Sequence, residues 1–232
     1  GDVTATSHDN GLGQPGDIWI IKLTATGTIT WNKLLGGDGV DWAYSIQQAT
    51  DGGYIVAGYS SSSATGDITG VNHGSNDFWI VKLDGTGNIV WNKLLGGAGG
   101  DKAYSIQQTS DGGYIVAGES TSSASGDVTE INHGGAFPVD YWIVKLDAVG
   151  NIVWNRLLGG TGSDNARGIL ESAAGGYIIA GYSNSSANGD VTPVNHGGGL
   201  DGNDYWIVKL TAGGAISWNR LLGGAGDEEA YS

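Results

Sequence analysis

The sequence predicts an all-β fold, a β-propeller in which four-stranded antiparallel blades pack side by side around an axis. Three observations predict it: a unit that recurs four times, insertions confined to one place in that unit, and β-branched and aromatic runs separated by turn residues. No stretch shows the 3.6-residue period of an amphipathic helix. A β-solenoid-like tandem array is the alternative, although solenoid coils are usually shorter and lack paired hairpins.

The repeated unit recurs every 60 to 65 residues. Its first motif is Trp-Ile-(Val/Ile)-Lys-Leu. The second motif, Trp-Asn-(Lys/Arg)-Leu-Leu-Gly-Gly, begins 12 residues after the Trp of the first motif in every copy. The first motif begins at Trp19, Trp79, Trp142 and Trp206. We interpret residues 1–232 as a segment of one propeller, with repeats at approximately 1–65, 66–125, 126–188 and 189–232, the last incomplete.

Length variation is confined to one segment of the unit. The stretch between the aspartate of Gly-Asp-(Val/Ile)-Thr and the next first-motif Trp measures 17, 12, 15 and 16 residues in successive copies. A paired strand cannot absorb extra residues without exchanging its two faces, whereas a surface loop can. Each unit is therefore predicted to be a rigid scaffold with one variable loop.

Two hairpins are predicted in each unit. In the second full unit, strands at 104–109 and 114–118 flank an Asp-Gly turn, and strands at 141–146 and 152–158 flank a turn that contains Gly150. These strands are apolar on both faces, so both faces need cover. Burying one Trp removes roughly 150–250 Å² from water and contributes about 4–6 kcal/mol, which favours packing of each unit against its neighbours.

Composition and charge exclude several kinds of partner. The net charge of −14, with only 10 basic residues, argues against nucleic-acid binding and against docking on anionic membranes. No apolar run approaches the roughly 18 residues of a membrane span, so direct membrane insertion is not expected. The sequence begins at Gly1, lacks Met and stops within a fifth unit, so we expect a segment of a longer propeller of about six to eight blades.

The combined motifs resemble a known class of repeat. The runs at 111–118, 126–129, 132–134, 140–147 and 150–154 resemble tandem repeats of about sixty residues in bacterial surface proteins. Such repeats are common in Bacteroidetes-type proteins exported by type IX secretion and are similar to delta-60-type repeats. The resemblance implies an extracellular or cell-surface propeller within a larger polypeptide that carries further modules. It implies no characterised activity.

The variable loops carry candidate calcium ligands, because calcium binds six to eight carboxylate, amide and carbonyl oxygens. The candidates are Asp67, Asn72, Asp77, Asp127, Asn132, Asp140, Asp190, Asn195 and Asp204. The alternative is that these Asp and Asn residues form turns with their own backbone, with the loop histidines packed beside them. The first copy has Ser7-His8-Asp9-Asn10 in place of Asn-His-Gly, so it is not expected to form an equivalent site.

Other side chains are candidates for a binding surface. Trp42 aligns with Lys102, Asn165 and Glu229, so it follows no repeated core pattern and is a candidate surface contact. The loop histidines His73, His133 and His196 are further candidates. An acidic residue also recurs ten positions after the second-motif Trp. It could cap a turn, prevent pairing at a strand edge or bind a ligand. These positions are Asp41, Asp101, Asp164 and Glu228.

The expected function is non-catalytic, because near-identical repeats distribute the same groups, whereas catalysis needs one asymmetric constellation. We expect a structural or adhesive module that binds other surface proteins or glycans through its variable loops. A calcium-assisted carbohydrate-binding propeller is the first alternative. A glycan-active enzyme domain is the second, and it requires a distinct pair of carboxylates across a pocket.

Overall fold

The computed structural model describes residues 7–8, 16–134, 139–197 and 202–229. Within these ranges the chain forms strands and turns without helices, so it contains no helix long and apolar enough to cross a membrane. The strands are β1 (Ile18–Leu23), β2 (Ile29–Leu35), β3 (Asp41–Gln48), β4 (Tyr54–Ser60), β5 (Asp77–Leu83), β6 (Ile89–Leu95), β7 (Asp101–Gln108), β8 (Tyr114–Ser120), β9 (Asp140–Leu146), β10 (Ile152–Leu158), β11 (Asp164–Glu171), β12 (Tyr177–Ser183), β13 (Asp204–Leu210) and β14 (Ile216–Leu222).

These strands form four antiparallel sheets in sequence order. Sheet 1 contains β1 and β2, sheet 2 contains β3–β6, sheet 3 contains β7–β10 and sheet 4 contains β11–β14. The prediction of an all-β fold with four-stranded antiparallel units is confirmed. The described sheets do not close into a ring, so the structure shows a tandem array of packed sheets.

Most strand limits follow the prediction, with one systematic extension. The strand predicted at 152–158 is β10, but the strand predicted to begin at Tyr104 starts at Asp101. Asp101 pairs with Ser120 across the ladder, and this pairing lengthens both strands of the first hairpin. The extension places the recurring acidic residue at the first position of each four-stranded sheet, where its side chain is buried although the strand is an edge strand.

A β-bulge interrupts the first strand of each four-stranded sheet. In β3 the register shifts between Ala43 and Ser45, so Tyr44 is the extra residue. Gly58 faces this bulge, and a Cβ at that position would overlap the carbonyl oxygen of Trp42. The close approach explains why the second strand of the hairpin carries glycine there. The bulged residues of the other two sheets are Tyr104 and Arg167.

Adjacent sheets pack face to face through two different surfaces. We call the surface of the third strand that carries Trp, Val and Leu the Trp face; in sheet 3 it consists of Trp142, Val144 and Leu146. The opposite surface, the Ile face, combines Ile-x-Ala of the second strand with an aromatic residue and Ile of the third. In sheet 2 it consists of Ile55, Ala57, Phe78 and Ile80. The Ile face of each sheet packs on the Trp face of the next.

Ring contacts join these faces at successive junctions. Phe78 of sheet 2 meets Trp142 of sheet 3 with ring centroids 4.5 Å apart, and both rings are fully buried. Tyr141 meets Trp206 at the same distance of 4.5 Å. The prediction that neighbouring units bury the repeated Trp side chains of the first motif is confirmed for Trp79, Trp142 and Trp206 of sheets 2, 3 and 4, whereas Trp19 of sheet 1 is 43% exposed.

The second-motif Trp makes another contact across each junction. Trp154 of sheet 3 donates from its indole nitrogen to the carbonyl oxygen of Ala212, 3.2 Å away in the hairpin of sheet 4. Its ring also covers Gly214, where a Cβ would come within 3.0 Å of the indole. Trp31 makes the same hydrogen bond, of 3.2 Å, to Gly85 of sheet 2.

Candidate functional site

The variable loops leave the array at one place between the second and third strands of each sheet. Each loop opens with a closed turn in which an alanine N–H donates to a carbonyl oxygen six residues later, as in the bond of 2.9 Å from Ala124 to Glu130. These alanines adopt left-handed backbone angles, with φ of 50° at Ala64, 40° at Ala124 and 48° at Ala187. The turn has the same length in three copies, so the loops differ in length only in the residues after the turn.

The loop histidines bind the aspartate at the start of the third strand. His133 directs both its backbone N–H and its ring Nδ1 at one oxygen of Asp140, at 3.0 Å and 2.7 Å. His73 makes the same ring contact to Asp77 at 2.8 Å. These aspartates are fully buried, so the histidine anchors the returning end of the loop to the sheet. The same contact joins His196 to Asp204 at 2.7 Å.

The first copy forms this histidine–aspartate contact too, although its motif differs, while the absence of an equivalent calcium site there stays a prediction. His8 Nδ1 lies 3.1 Å from Asp17 Oδ2, and the His8 backbone N–H donates to the same oxygen. The sequence did not indicate this equivalence, because the residues around His8 differ from those around the other loop histidines. The contact itself needs only the histidine and the buried aspartate.

The aspartates of one loop do not converge on one point. His133 Nε2 lies 3.3 Å from Asp190, which belongs to the following repeat, so this histidine connects two consecutive repeats. In the same way Asp67 lies 3.7 Å from His8 and not beside Asp77. The candidate ligands therefore regroup across junctions, with each Gly-Asp aspartate near the histidine of the repeat before it. Asp127 occupies the equivalent place and accepts the Gly96 N–H at 3.2 Å.

The loop asparagines form turns. The side-chain oxygen of Asn72 accepts the N–H of Gly74 at 2.9 Å, and its amide donates to the carbonyl of Ser60 at 3.0 Å. Asn195 makes the equivalent bonds to Gly197 and Ser183. Asn132 accepts the N–H of Gly134 at 2.9 Å. This geometry is the turn role that was the alternative to calcium ligation.

Two buried carboxylates meet at each junction. Asp77 and Asp101 both lie against the Cα of Gly96, where an added Cβ would contact both carboxylates. Asp101 accepts the Gly97 N–H at 2.8 Å and the Ser122 hydroxyl at 2.9 Å. Burial raises the pKa of both carboxyl groups, and the negative charge of Asp77 further raises the pKa of Asp101. The capping role proposed for the recurring acidic residue is what the geometry shows.

One carboxylate oxygen of each histidine-bound aspartate has no hydrogen-bond partner. Asp77 Oδ1 is buried and has no hydrogen-bond partner, and the same holds for Oδ1 of Asp17, Asp140 and Asp204. In the described ranges, however, no three His, Asp or Glu side chains are grouped so as to hold one metal ion. The junction thus offers a pair of carboxylates and not a full set of side-chain ligands.

A cleft opens at the junction of sheets 3 and 4, where the loop of sheet 3 meets the next sheet. It encloses about 480 Å³ and is lined by Ile131, His133, Arg156 and Asp190, among others. Arg156 Nη1 forms an ion pair of 2.9 Å with Glu130 in the same wall. An equivalent cleft of about 450 Å³ lies between sheets 1 and 2. Both clefts are open to solvent and are lined by apolar and charged groups.

The loops also present an aliphatic residue that the sequence interpretation missed. Val71, Ile131 and Val194 are 64%, 74% and 65% exposed. Each lies directly before the Asn-His pair of its loop, and this fixed position was the signal available in the sequence. Three aliphatic side chains therefore lie in water at one equivalent position on successive loops.

A second surface involves the bulged strands, where the repeats differ from one another. Trp42 is 52% exposed, as predicted for a surface residue, and exposed Tyr44 lies two positions further on. Tyr44 contacts Tyr104 with centroids 4.8 Å apart. The Arg167 guanidinium stacks 3.9 Å above the Tyr104 ring, and burial together with nearby Glu119 raises the pKa of that tyrosine.

Comparisons with known proteins give distant similarities. No protein-family model matches the chain. The regulatory protein FlaEY of Caulobacter vibrioides is 26% identical over 198 residues, which cover 83% of this chain and 20% of FlaEY, so the chain spans about a fifth of that relative. A solved structure of a protein of unknown function from Bacteroides caccae aligns over 90% of this chain and 59% of that chain, with a TM-score of 0.45 and 11% identity.

Proposed function

We propose that this chain is a non-catalytic β-propeller segment of a secreted or cell-surface protein, and that it binds a partner through its variable loops. The observation that carries this proposal is the exposure of Val71, Ile131 and Val194 at one equivalent position on three successive loops. A protein or glycan surface would cover these aliphatic groups together. The surrounding histidines and carboxylates would supply the polar rim of the interface.

The sheets support this role by holding the loops rigidly. Each loop is closed at its start by the alanine turn and fixed at its end by the histidine–aspartate contact. The segment between these two anchors varies in length without disturbing the strands. A fixed scaffold with variable loops is the arrangement in which binding residues are most often found.

The test is a triple variant, Val71→Ser, Ile131→Ser and Val194→Ser. The fluorescently labelled chain is applied to a glycan array and to intact bacterial cells, and the variant is compared with the parent. Removing three central apolar contacts is expected to weaken binding at least about tenfold. The matched control is Val90→Ser with Val153→Ser, two valines that are each 60% exposed on the outer strands.

Two results would overturn the proposal. One is the absence of binding by the parent chain to cells, to the array and to proteins extracted from the cell surface. The other is equal binding by the triple variant and the parent. A loss of binding in the control variant as large as in the triple variant would also count against the loops as the contact surface.

Calcium-assisted carbohydrate binding is a second candidate. It is supported by the unpartnered, buried Oδ1 of Asp77 beside Asp101, and by exposed Trp42, a residue type that stacks on sugar rings. Calcium would raise the melting temperature of the parent chain and not that of Asp77→Asn combined with Asp140→Asn. Melting that is insensitive to calcium and chelator, together with a blank glycan array, would eliminate this candidate.

We propose no catalytic role for the carboxylate pairs. Asp77 and Asp101 are matched by Asp140 and Asp164 at the next junction, with the same contacts to glycine and serine. An active site needs one asymmetric set of acid, base and substrate contacts. Hydrolysis of polysaccharide by the purified chain, lost in Asp101→Asn, would contradict this proposal and favour a glycan-active domain.

A further inference from the structure

Positive and negative charges occupy different parts of this chain. All 10 Lys and Arg residues lie within strands, and the loops, turns and connections between strands contain neither residue type. The charged side chains of the connecting segments are therefore carboxylates and histidines. The strand residues that carry the positive charges are Lys22, Lys33, Lys82, Lys93, Lys102, Lys145, Arg156, Arg167, Lys209 and Arg220.

The two ends of the sheets differ in how their carboxylates are paired. We call the end with the variable loops and the connections between sheets the loop end, and the end with the hairpin turns the hairpin end. At the hairpin end the Nζ atom of Lys82 lies 2.7 Å from Asp51, and that of Lys145 lies 3.0 Å from Asp111. Both lysines are buried, so each is held against the aspartate of its turn.

At the loop end the equivalent pairing is missing. Asp67, Asp127 and Asp190, one in each Gly-Asp motif, accept main-chain N–H groups of glycine. In the described ranges none of the three forms an ion pair with Lys or Arg, and the charged neighbours of Asp67 and Asp190 are histidines. Glu130 differs, because it pairs with Arg156 at 2.9 Å. The loop end therefore keeps a negative charge that no basic strand residue cancels.

The exposed aliphatic residues of the loops belong to this negative surface. Each follows the aspartate of its Gly-Asp motif by four positions, so an exposed apolar group and a carboxylate without a Lys or Arg partner recur together on sheets 2, 3 and 4. The three combinations are Asp67 with Val71, Asp127 with Ile131 and Asp190 with Val194. A complementary partner has to supply apolar contacts and positive charge at the same place.

Resting on the proposed function, in which the variable loops bind a partner, we infer that this partner is a cationic protein segment with Lys or Arg side chains between apolar ones. Its apolar side chains cover the aliphatic residues, and its basic side chains pair with the loop aspartates. An anionic partner is repelled by the same surface. A neutral partner would displace water from the aspartates without pairing them, which costs binding free energy.

The experiment measures fluorescence anisotropy of a labelled peptide as the purified 232-residue chain is added. The probe is a short soluble peptide in which Lys and Leu recur with Ser between them. Three matched peptides replace its Leu by Ser, its Lys by Gln, or its Lys by Glu. The probe is expected to bind at least about tenfold more tightly than each of them. Raising NaCl from about 50 to about 300 mM should weaken its binding, because salt screens exposed charges.

Two variants with the same change in net charge locate the contact. Asp127→Asn combined with Asp190→Asn removes two charges at the loop end and is expected to weaken probe binding about threefold to tenfold. Asp84→Asn combined with Asp147→Asn removes two charges from the hairpin turns, where asparagine also caps a turn, and should leave binding unchanged. Circular dichroism verifies that each variant is folded.

The outcomes separate this inference from the proposed function. If the Gln peptide binds as tightly as the Lys probe, and the triple serine variant of the loop aliphatic residues loses that binding, the loops bind a partner but its positive charge is irrelevant. That result overturns the inference and leaves the proposed function standing. Equal probe binding by the triple variant and the parent, equal losses in the two charge variants, or no probe binding at all would also overturn the inference.

Discussion

The hydroxyl of Tyr141 donates a hydrogen bond of 3.1 Å to the main-chain carbonyl oxygen of Trp206, across the junction between sheets 3 and 4. The two rings also touch, and both residues are fully buried. This one side chain therefore joins adjacent sheets by an apolar contact and by a polar one. At the preceding junction Phe78 provides only the apolar contact.

Tyr141→Phe is expected to lower the free energy of unfolding by about 1 kcal/mol, the usual contribution of one hydrogen bond. The ring still fits, because Phe78 fills the same position against Trp142. Urea denaturation of the parent and the variant measures the difference. Tyr205→Phe, at an exposed equivalent position, is the control and should change stability by less than about 0.5 kcal/mol. Equal stability of Tyr141→Phe and the parent would show that the hydroxyl contributes nothing.

Gly214→Ala is expected to be more destabilising than Gly112→Ala. Both glycines have positive φ, 84° and 83°, so alanine costs about 1 kcal/mol of backbone strain at either site. At Gly214 the added Cβ also presses on the Trp154 ring at 3.0 Å, whereas at Gly112 no atom lies within 4 Å. Urea denaturation should therefore separate the variants by about a further 1–3 kcal/mol. Identical losses would mean that the Trp154 ring yields without cost.

Stability should increase as the pH falls from 8 toward about 5. Burial raises the pKa of Asp164 to about 6, and the Asp140 and Asp190 carboxylates outweigh burial to raise the pKa of His133. A group with a raised pKa stabilises the fold when it is protonated, so this contribution is lost as the pH rises through its folded pKa. Below about 4 the trend reverses, because Asp84 and Asp111 take up protons in the unfolded chain but stay ionised in the folded chain, where the pKa of each is about 2.

The variant Asp164→Asn tests this pH dependence. Melting temperatures at pH 5, 6, 7 and 8 should show a weaker rise toward low pH in the variant than in the parent chain, and a higher stability at pH 8. At pH 8 the free energy of unfolding of the variant should exceed that of the parent chain by an amount on the order of 1–3 kcal/mol. Asp84→Asn, on an exposed turn, should leave the trend from pH 8 to pH 5 unchanged. A parent chain that is most stable at pH 8 would contradict the prediction.

Ala124→Gly is expected to stabilise the protein by about 0.5–1 kcal/mol, because glycine adopts the left-handed φ of 40° without strain. The greater freedom of glycine in the unfolded chain offsets part of this gain. Thermal melting measures the effect. Ala117→Gly, in the middle of a buried strand, should destabilise the protein and serves as the contrast. Destabilisation by both substitutions would show that the loop turn carries no strain.

The architecture was predictable because the spacing between motifs is the same in every copy of the repeat. Constant spacing between Trp79 and Trp91, and between their counterparts, predicted a hairpin with a fixed register, and the structure confirms it. Loop contacts were harder to predict. Asp77 meets Asp101 and not Asp67, since partners at a junction come from consecutive sheets that are separated in sequence.

Other features depended on geometry that residue letters do not record. The motif around His8 differs from the other copies, yet the buried Asp17 places it in the same way. The exposure of Val71 was not predictable from hydrophobicity, which would favour a buried position. Trp42 was expected at the surface because it breaks the repeat pattern, and it is exposed; whether it contacts a partner stays a prediction.

Every described core of this chain is shared only between consecutive sheets, as the separate clusters around Trp79, Trp142 and Trp206 show. Folding cooperativity is then a nearest-neighbour property, as in linear repeat arrays. Sheet 1, with two strands and one covered face, should open first on heating. Its loss would expose Trp79 and weaken sheet 2 in turn, so melting would spread inward from the ends and partly unfolded forms would be populated along the way.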